Sequence, residues 1–173
     1  MKKFQFLLLD AGPIIKLFEL GLWDDFIGKC NVTICSTVAR EAKWASREFE
    51  DTCIDLDGYH HNGRIQIIDV ELPVVRAFSD KFGLSYKAML HDGEAETLAF
   101  LCNSSEKWLV CTADAAVFKT LGVLGRSLQG ISLQEALAQL GLGRDLEWKY
   151  TERFRQKYAS LGQMDSIQGR GLH

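Results

Sequence analysis

The chain has 173 residues, 47% of them hydrophobic and 25% charged, which is typical of one globular domain of ordinary size. Its 20 basic and 23 acidic residues give a net charge of −3, which excludes a basic field over the whole surface for holding nucleic acid. Five cysteines with no Cys-x-x-Cys pair indicate reduced thiols of a cytoplasmic protein rather than a disulfide or zinc framework. The first apolar run is too short for a signal peptide, and no window approaches the ~20 apolar residues of a membrane helix, so no membrane partner is expected.

Short apolar runs alternate with helical patterns in the first half of the chain. Pro13 suits the first turn of a helix, Gly21 its end, and Ser36 the N-cap of another helix. The predicted elements are a strand over 4–9, a helix over 13–20, a helix over 22–29, a strand over 31–35, a helix over 37–50, a loop over 51–63 and a strand over 64–70.

The second half continues the alternation. It gives helices over 72–83 and 91–105, a strand over 107–112, a helix over 115–122, a short strand near 123–124, a helix over 132–143, and a tail helix from 145 with a frayed end over 163–173. Alternating strands and helices predict a parallel sheet covered on both faces. We expect residues 1–143 to form one domain and residues 144–173 a helical tail.

Acidic side chains recur where the predicted strands end. Asp10 ends the first strand, Asp114 lies two residues beyond the fourth, and Glu41 lies in the helix after the second. The helix before the fourth strand opens with Asp92, Glu94 and Glu96. Because ligands of open parallel sheets bind outside the carboxyl ends of the strands, these carboxylates are candidates for one site.

Each of these acids also has a purely structural interpretation. Asp10 and Asp114 can cap the helices that follow them, and acids in the first turn of a helix complement its dipole. Capping accounts for each acid separately, but it does not explain why the strand ends carry acids so regularly.

Carboxylates brought together repel one another and favour a cation between them. A set of oxygen ligands without histidine or cysteine suits Mg²⁺ or Mn²⁺ rather than zinc. Such ions clamp phosphate oxygens and lower the pKa of bound water, which indicates phosphodiester hydrolysis.

The segments LLLDAGPIIKLFELG, STVAREA, DGEAETLAF and CTADAAVFKTLG occur in that order and together resemble the motifs of PIN-domain ribonucleases, the family of the VapC-type toxins. The resemblance covers about residues 4 to 142. It implies a three-layer α/β/α sandwich with a central parallel sheet of four or five strands, a Mg²⁺ or Mn²⁺ site, and endonucleolytic cleavage of single-stranded RNA. It also implies a homodimer and, for a toxin, a cognate antitoxin protein, although a free-standing RNA-processing nuclease fits equally well.

The resemblance assigns the metal and catalytic roles residue by residue. The first family aspartate falls on Asp10, the glutamate after strand two on Glu41, and the last aspartate on Asp114, with Thr112 as its hydroxyl companion. At the third position the GEAE segment offers Glu96, which we rank first, with Asp92 four residues before it on the same helical face and Glu94 third.

Basic and aromatic residues suggest where RNA would bind. On the predicted helix, Arg40, Lys43 and Arg47 share one face, either as a solvated surface or as a strip that guides phosphates. Trp44 and Trp108 are expected in the core or at an interface. The aromatic residues of the tail are expected to dock it on the domain or on a partner, ahead of stacking on single-stranded nucleic acid.

Two other functions compete with the nuclease. A haloacid-dehalogenase-like phosphohydrolase also places an Asp after its first strand but needs a second Asp two residues on, where this chain has Gly12. A catalytically degenerate PIN fold would act as an RNA- or protein-binding module and would bind no divalent ion.

Overall fold

A computed structural model describes residues 4–47 and 50–173. The helices of the described residues are α1 (Ala11–Glu19), α2 (Trp23–Lys29), α3 (Ser36–Glu41), α4 (Leu56–His61), α5 (Leu72–Ser79), α6 (Leu84–Lys87), α7 (Asp92–Asn103), α8 (Ala115–Val123), α9 (Leu133–Gln139) and α10 (Glu152–Ile167). The strands are β1 (Leu7–Leu9), β2 (Val32–Cys35), β3 (Trp44–Arg47), β4 (Glu50–Cys53), β5 (Gln66–Ile68), β6 (Leu109–Cys111) and β7 (Gly130–Ile131).

Five strands form one parallel sheet in the order β5-β2-β1-β6-β7. From β1 the chain moves outward through β2 to β5, and it then returns to the other side of β1 to add β6 and β7. The strand order therefore reverses between β1 and β6, and this reversal opens a crevice at the carboxyl ends of those two strands.

Helices cover both faces of this sheet, so the predicted three-layer α/β/α sandwich is confirmed. Alternate residues of β1 divide between two cores: Leu7 and Leu9 pack with α1, α2 and α9, whereas Leu8 packs with α5, α7 and α8. All three leucines are fully buried, which explains why the first strand is a continuous apolar run rather than an alternating one.

The region after β2 differs from the sequence prediction. Instead of one helix over 37–50, α3 ends at Glu41, and β3 and β4 then form an antiparallel hairpin. The predicted loop over 51–63 contains the end of β4 and all of α4. Ala42 leaves helical geometry at φ −83°, ψ 66°, and the Ile54 N–H then bonds to the carbonyl of Lys43 at 2.8 Å. Pairing of β3 with β4 in this hairpin thus overrides the helical propensity of the segment.

Two further predictions are corrected near the C-terminal side. Val123 belongs to α8, and the edge strand is Gly130–Ile131 instead. The end of the chain is not frayed: the N–H of Gly83 bonds to the carbonyl of Gly171 at 3.0 Å, and Phe82 pairs with Leu172.

The tail packs on the domain through a close crossing of α10 and α8. A side-chain carbon added at Gly162 would overlap the carbonyl oxygen of Lys119, and one at Gly122 would overlap that of Ala159. Phe154 is buried against this surface, which agrees with docking of the tail on its own domain. Within the part of the chain described, no helix is both long and apolar enough to cross a membrane.

Candidate metal centre at the sheet edge

The crevice between β1 and β6 contains two of the predicted acids, joined by a threonine. The N–H of Asp10 bonds to the carbonyl of Cys111 at 3.0 Å, which holds the first residue after β1 beside the end of β6. Thr112 donates its hydroxyl to Oδ2 of Asp10 at 2.7 Å and accepts the N–H of Asp114 at 3.0 Å. One fully buried hydroxyl therefore fixes both aspartates at the point where the strand order reverses.

Both aspartates also cap helices, as their structural interpretation predicts. Oδ1 of Asp10 accepts the N–H of Ala11 at 2.8 Å, and Oδ1 of Asp114 accepts that of Ala116 at 2.6 Å. Asp10 is only 7% exposed, and this burial raises its pKa, as does the negative charge of Asp114, against the hydrogen bonds from Thr112 and Ala11. Capping and site formation are thus compatible, since each carboxylate has a second oxygen.

Glu41, the last residue of α3, lies against the first turn of α7. A hydrogen bond from the Gly93 backbone holds its carboxylate there, and a side-chain carbon at Gly93 would lie 2.9 Å from Oε2 of Glu41. Partial burial raises the pKa of Glu41, and the charge of Asp10 raises it further. A side chain at position 93 would therefore displace the Glu41 carboxylate from its place at the helix N-terminus.

Glu94 is the acid of α7 that faces the aspartates. It is 8% exposed, and its Oε2 accepts the N–H of His91 at 3.0 Å. Burial raises the pKa of Glu94 to about 7, and the charges of Asp114 and Asp10 add to this rise, whereas the bond from His91 opposes it. Asp10, Glu41, Glu94 and Asp114 are hereafter called the acidic edge.

Glu96, which the sequence ranked first for the third position, points elsewhere. Its two oxygens accept the Ser36 hydroxyl at 3.3 Å, the Thr37 N–H at 3.1 Å and the Val70 N–H at 3.3 Å. It is 6% exposed and ties α7 to the start of α3 and the end of β5. These three donors give Glu96 a structural role, and Glu94 replaces it at the acidic edge.

The two residues before Gly93 lie at the rim. Asp92 is exposed, and its charge contributes to the raised pKa of Glu41. His91 is also exposed, and it lies close enough to Asp10, Glu41 and Glu94 to offset part of the rise in their pKa values. Sequence reasoning did not select His91, although its position directly before Asp92 was a usable signal.

No lysine or arginine within residues 4–47 and 50–173 pairs with the acidic edge, and His91 at the rim is its basic neighbour. The ion pairs of this part of the chain involve other acids, and none includes Asp10, Glu41, Glu94 or Asp114. Asp10 and Glu94 are buried, Asp114 is half-buried and Glu41 is exposed. Carboxylates that repel one another without a lysine or arginine partner are suited to binding a cation. As oriented, however, no three acidic, histidine or cysteine side chains of the described residues form a group able to hold a metal ion.

The predicted basic strip is altered because α3 ends early. Arg40 is exposed on α3, whereas Lys43 lies in the link to β3 and no longer shares a helical face with it. The side chain of Arg47 lies outside the described part of the structure. Trp108 is buried, as expected, but Trp44 is 61% exposed.

Comparison with known proteins gives no match. No family model matches the sequence, and no curated protein and no solved structure matches it significantly. The resemblance to PIN-domain ribonucleases therefore rests on the four sequence motifs alone.

Proposed function

We propose that this protein is a metal-dependent endoribonuclease that hydrolyses phosphodiester bonds of single-stranded RNA. The observation that supports this most is the acidic edge itself. Four carboxylates from distant parts of the sequence converge at the reversal point of a parallel sheet, and the pKa values of three of them are raised.

The chemistry of the donor set fits Mg²⁺ or Mn²⁺. All the donors are carboxylate oxygens, which are the ligands these hard cations prefer, and no lysine or arginine of the described residues neutralises them. A bound ion would neutralise charge on the phosphate and supply a water of lowered pKa. Asp10, Glu41, Glu94 and Asp114 are the residues that would hold it.

The protein side chains have separate tasks in this proposal. Thr112 fixes both aspartates at the crevice, because its hydroxyl donates to the Asp10 carboxylate and accepts the Asp114 N–H. The bond from Gly93 fixes Glu41, and the bond from His91 fixes Glu94. No side chain has to act as a nucleophile, because water attacks the phosphorus atom.

A degenerate fold that binds RNA or protein without catalysis is the second candidate. One observation favours it: no three side chains in the described ranges are arranged as a ready metal site. It predicts that divalent ions neither bind nor stabilise the protein. The nuclease, in contrast, requires the carboxylates to rotate onto an ion when one binds.

The test is cleavage of a mixed pool of single-stranded RNAs with Mn²⁺ or Mg²⁺. The wild type should give products that disappear on chelation, and Asp114→Asn should give none. Sequencing of the product ends would also report any sequence preference. Metal-independent cleavage, or equal cleavage by Asp114→Asn, would contradict the proposal.

The partners follow from the same proposal. RNA is the substrate, the site of action is the cytoplasm, and a homodimer is the expected assembly. If the protein is the toxin of a toxin–antitoxin pair, its expression alone should arrest growth in a metal-site-dependent manner. Growth that continues while RNA is cleaved would instead indicate a processing nuclease.

A further inference from the structure

The geometry points to a binding site for one nucleotide of single-stranded RNA on Trp44, with Lys43 and Arg40 holding its phosphates. The choice of RNA as ligand rests on the proposed function, but the site lies beside the acidic edge and does not use its carboxylates.

The end of α3 places these residues next to the acidic edge. The Lys43 N–H donates to the carbonyl of Glu41 at 3.0 Å, and the Lys43 carbonyl accepts the Ile54 N–H at 2.8 Å. These two bonds turn the chain from α3 into β3 and fix Trp44 three residues beyond Glu41. Trp44 is thereby held close along the chain to Glu41, the member of the acidic edge that α3 provides.

Trp44 differs from the other tryptophans in its surroundings. Trp23 and Trp108 are buried, and Trp148, though 51% exposed, packs edge-on against Phe154 at a centroid distance of 5.9 Å. Trp44 is 61% exposed and has no aromatic neighbour among the described residues. A large, exposed, unstacked ring is a suitable platform for a base.

Two cavities flank Arg40, one at Trp44 and the other at Asp92, on the rim of the acidic edge. One, of about 310 Å³, is lined by Arg40, Lys43 and Trp44; the other, of about 530 Å³, is lined by Arg40 and Asp92. Both volumes suit a small ligand or a nucleotide. Arg40 lines both cavities and lies between them, so its guanidinium is available to a phosphate in either one.

Charge favours a nucleotide with a defined orientation. Arg40 donates to the Thr37 hydroxyl at 2.9 Å, and within the described residues neither Arg40 nor Lys43 forms an ion pair with a carboxylate. Asp55 and Asp57 also line the Trp44 cavity, and their charges would repel a phosphate placed beside them. Phosphates would therefore lie on the Arg40 and Lys43 side, with the base on the indole ring.

The test measures binding without hydrolysis, so that it stays separate from the proposed catalysis. Fluorescence anisotropy of a short, labelled single-stranded RNA of mixed sequence is titrated with the full chain in EDTA. Trp44→Ala should weaken binding roughly 5- to 150-fold, the range that stacking of one base supports. Trp44→Phe, which keeps a ring, should retain most of the affinity, and Trp148→Ala is the matched control for another exposed tryptophan.

The salt dependence of RNA binding tests the proposed contact between Lys43 and a phosphate. Lys43→Ala should reduce the slope of log K against log salt by about 0.7, the value for one phosphate contact on a single strand. A duplex of the same sequence should bind more weakly, because its bases are already stacked on each other.

Equal binding by wild type and Trp44→Ala, or no RNA binding by the wild type, would overturn the inference. A change of oligomeric state in Trp44→Ala, with RNA binding unaltered, would instead identify Trp44 as a protein contact and also overturn it. If RNA binds through Trp44 but the wild type does not cleave RNA with Mn²⁺ or Mg²⁺, the nucleotide site stands and the proposed nuclease activity is wrong.

Discussion

Carboxylates occur in two opposite environments in this protein. At the acidic edge, burial and mutual repulsion raise the pKa values of Asp10 and Glu94, and no lysine or arginine of the described residues pairs with them. Where the tail meets the domain, Asp165 accepts the Tyr86 hydroxyl at 2.6 Å and pairs with Lys119 at 3.0 Å, and its pKa is lowered.

Glu135 shows the same pattern as Asp165. Burial alone would raise its pKa, but two hydrogen bonds from Arg155, each 2.7 Å long, and those from Ser132 lower it. The acids at the junction of tail and domain, Asp165 and Glu135, therefore stabilise the fold. The acidic edge instead holds like charges together at a cost to stability. Residues kept at such a cost are candidates for function.

The largest expected effect is on activity at the acidic edge. Glu94→Gln should reduce RNA cleavage by at least ~100-fold, because even indirect supports of a metal site are worth 10- to 100-fold. The same change removes one of several repelling charges, so the free energy of unfolding without metal should stay equal or increase. Single-turnover cleavage and urea unfolding measure the two effects.

Glu96→Gln is the matched control on the same helix. Its carboxylate accepts three hydrogen bonds from α3 and β5, so the loss should fall on stability, by about 1–3 kcal/mol. If Glu96→Gln abolished metal binding while Glu94→Gln did not, the sequence-based ranking would be right and our placement of the acidic edge wrong.

The next largest effect concerns the crossing of α8 and α10. Gly162→Ala puts a carbon onto the carbonyl oxygen of Lys119 and should reduce the free energy of unfolding by about 1–3 kcal/mol or more. Gly28→Ala, on a helix with no atom within 4 Å of the added carbon, should be neutral or stabilising. Equal unfolding midpoints for the two variants would rule out a tight crossing.

Arg155→Ala should reduce the free energy of unfolding by about 1–2 kcal/mol at neutral pH, because it removes two charged hydrogen bonds to Glu135. The pKa of Glu135 is lower in the folded protein than its value of 4.5 in the unfolded chain. Its contribution to stability is therefore present above pH 4.5 and is lost as the pH falls below that value. The difference between Arg155→Ala and wild type should therefore shrink in acid. Arg153→Ala, an exposed arginine of the same helix, should show no such difference.

The smallest effect is the pH dependence of metal binding. The pKa of Glu94 is raised to about 7, so its destabilising effect on the metal-free protein is absent below the unfolded value of 4.5 and grows as pH rises through 7. Mn²⁺ should raise the melting temperature more above pH 7 than below it, because protonated Glu94 competes with the ion. Glu94→Gln should flatten this dependence, and an unchanged profile would refute the assignment.

The alternating strands and helices, and with them the fold class, were predictable because parallel strands buried on both faces leave unbroken apolar runs. Asp10 could be selected because it directly follows such a strand, and Asp114 because it lies a few residues beyond another. The choice among Asp92, Glu94 and Glu96 could not be made from sequence, since helical spacing defines relative faces but not which face meets the crevice. Packing of α7 against Ser36, Thr37 and Val70 makes that choice.

The region after α3 was mispredicted for a similar reason. Residues 37–50 contain good helix formers and no Gly or Pro, so nothing local ends the helix at Glu41. The end comes from the pairing of β3 with β4, which joins Trp44 to Cys53 and Arg47 to Glu50 in a hairpin. The exposure of Trp44 follows from this hairpin and had no signal in the sequence.

The central claim is that the acidic edge binds a divalent cation. Calorimetric titration of the wild type and of Asp10→Asn with Mn²⁺ tests it most directly, since Asp10 is fixed by Thr112 at the centre of the crevice. We expect saturable binding to the wild type and its loss in Asp10→Asn with the fold intact. No binding to the wild type, or equal binding by both proteins, would contradict the account.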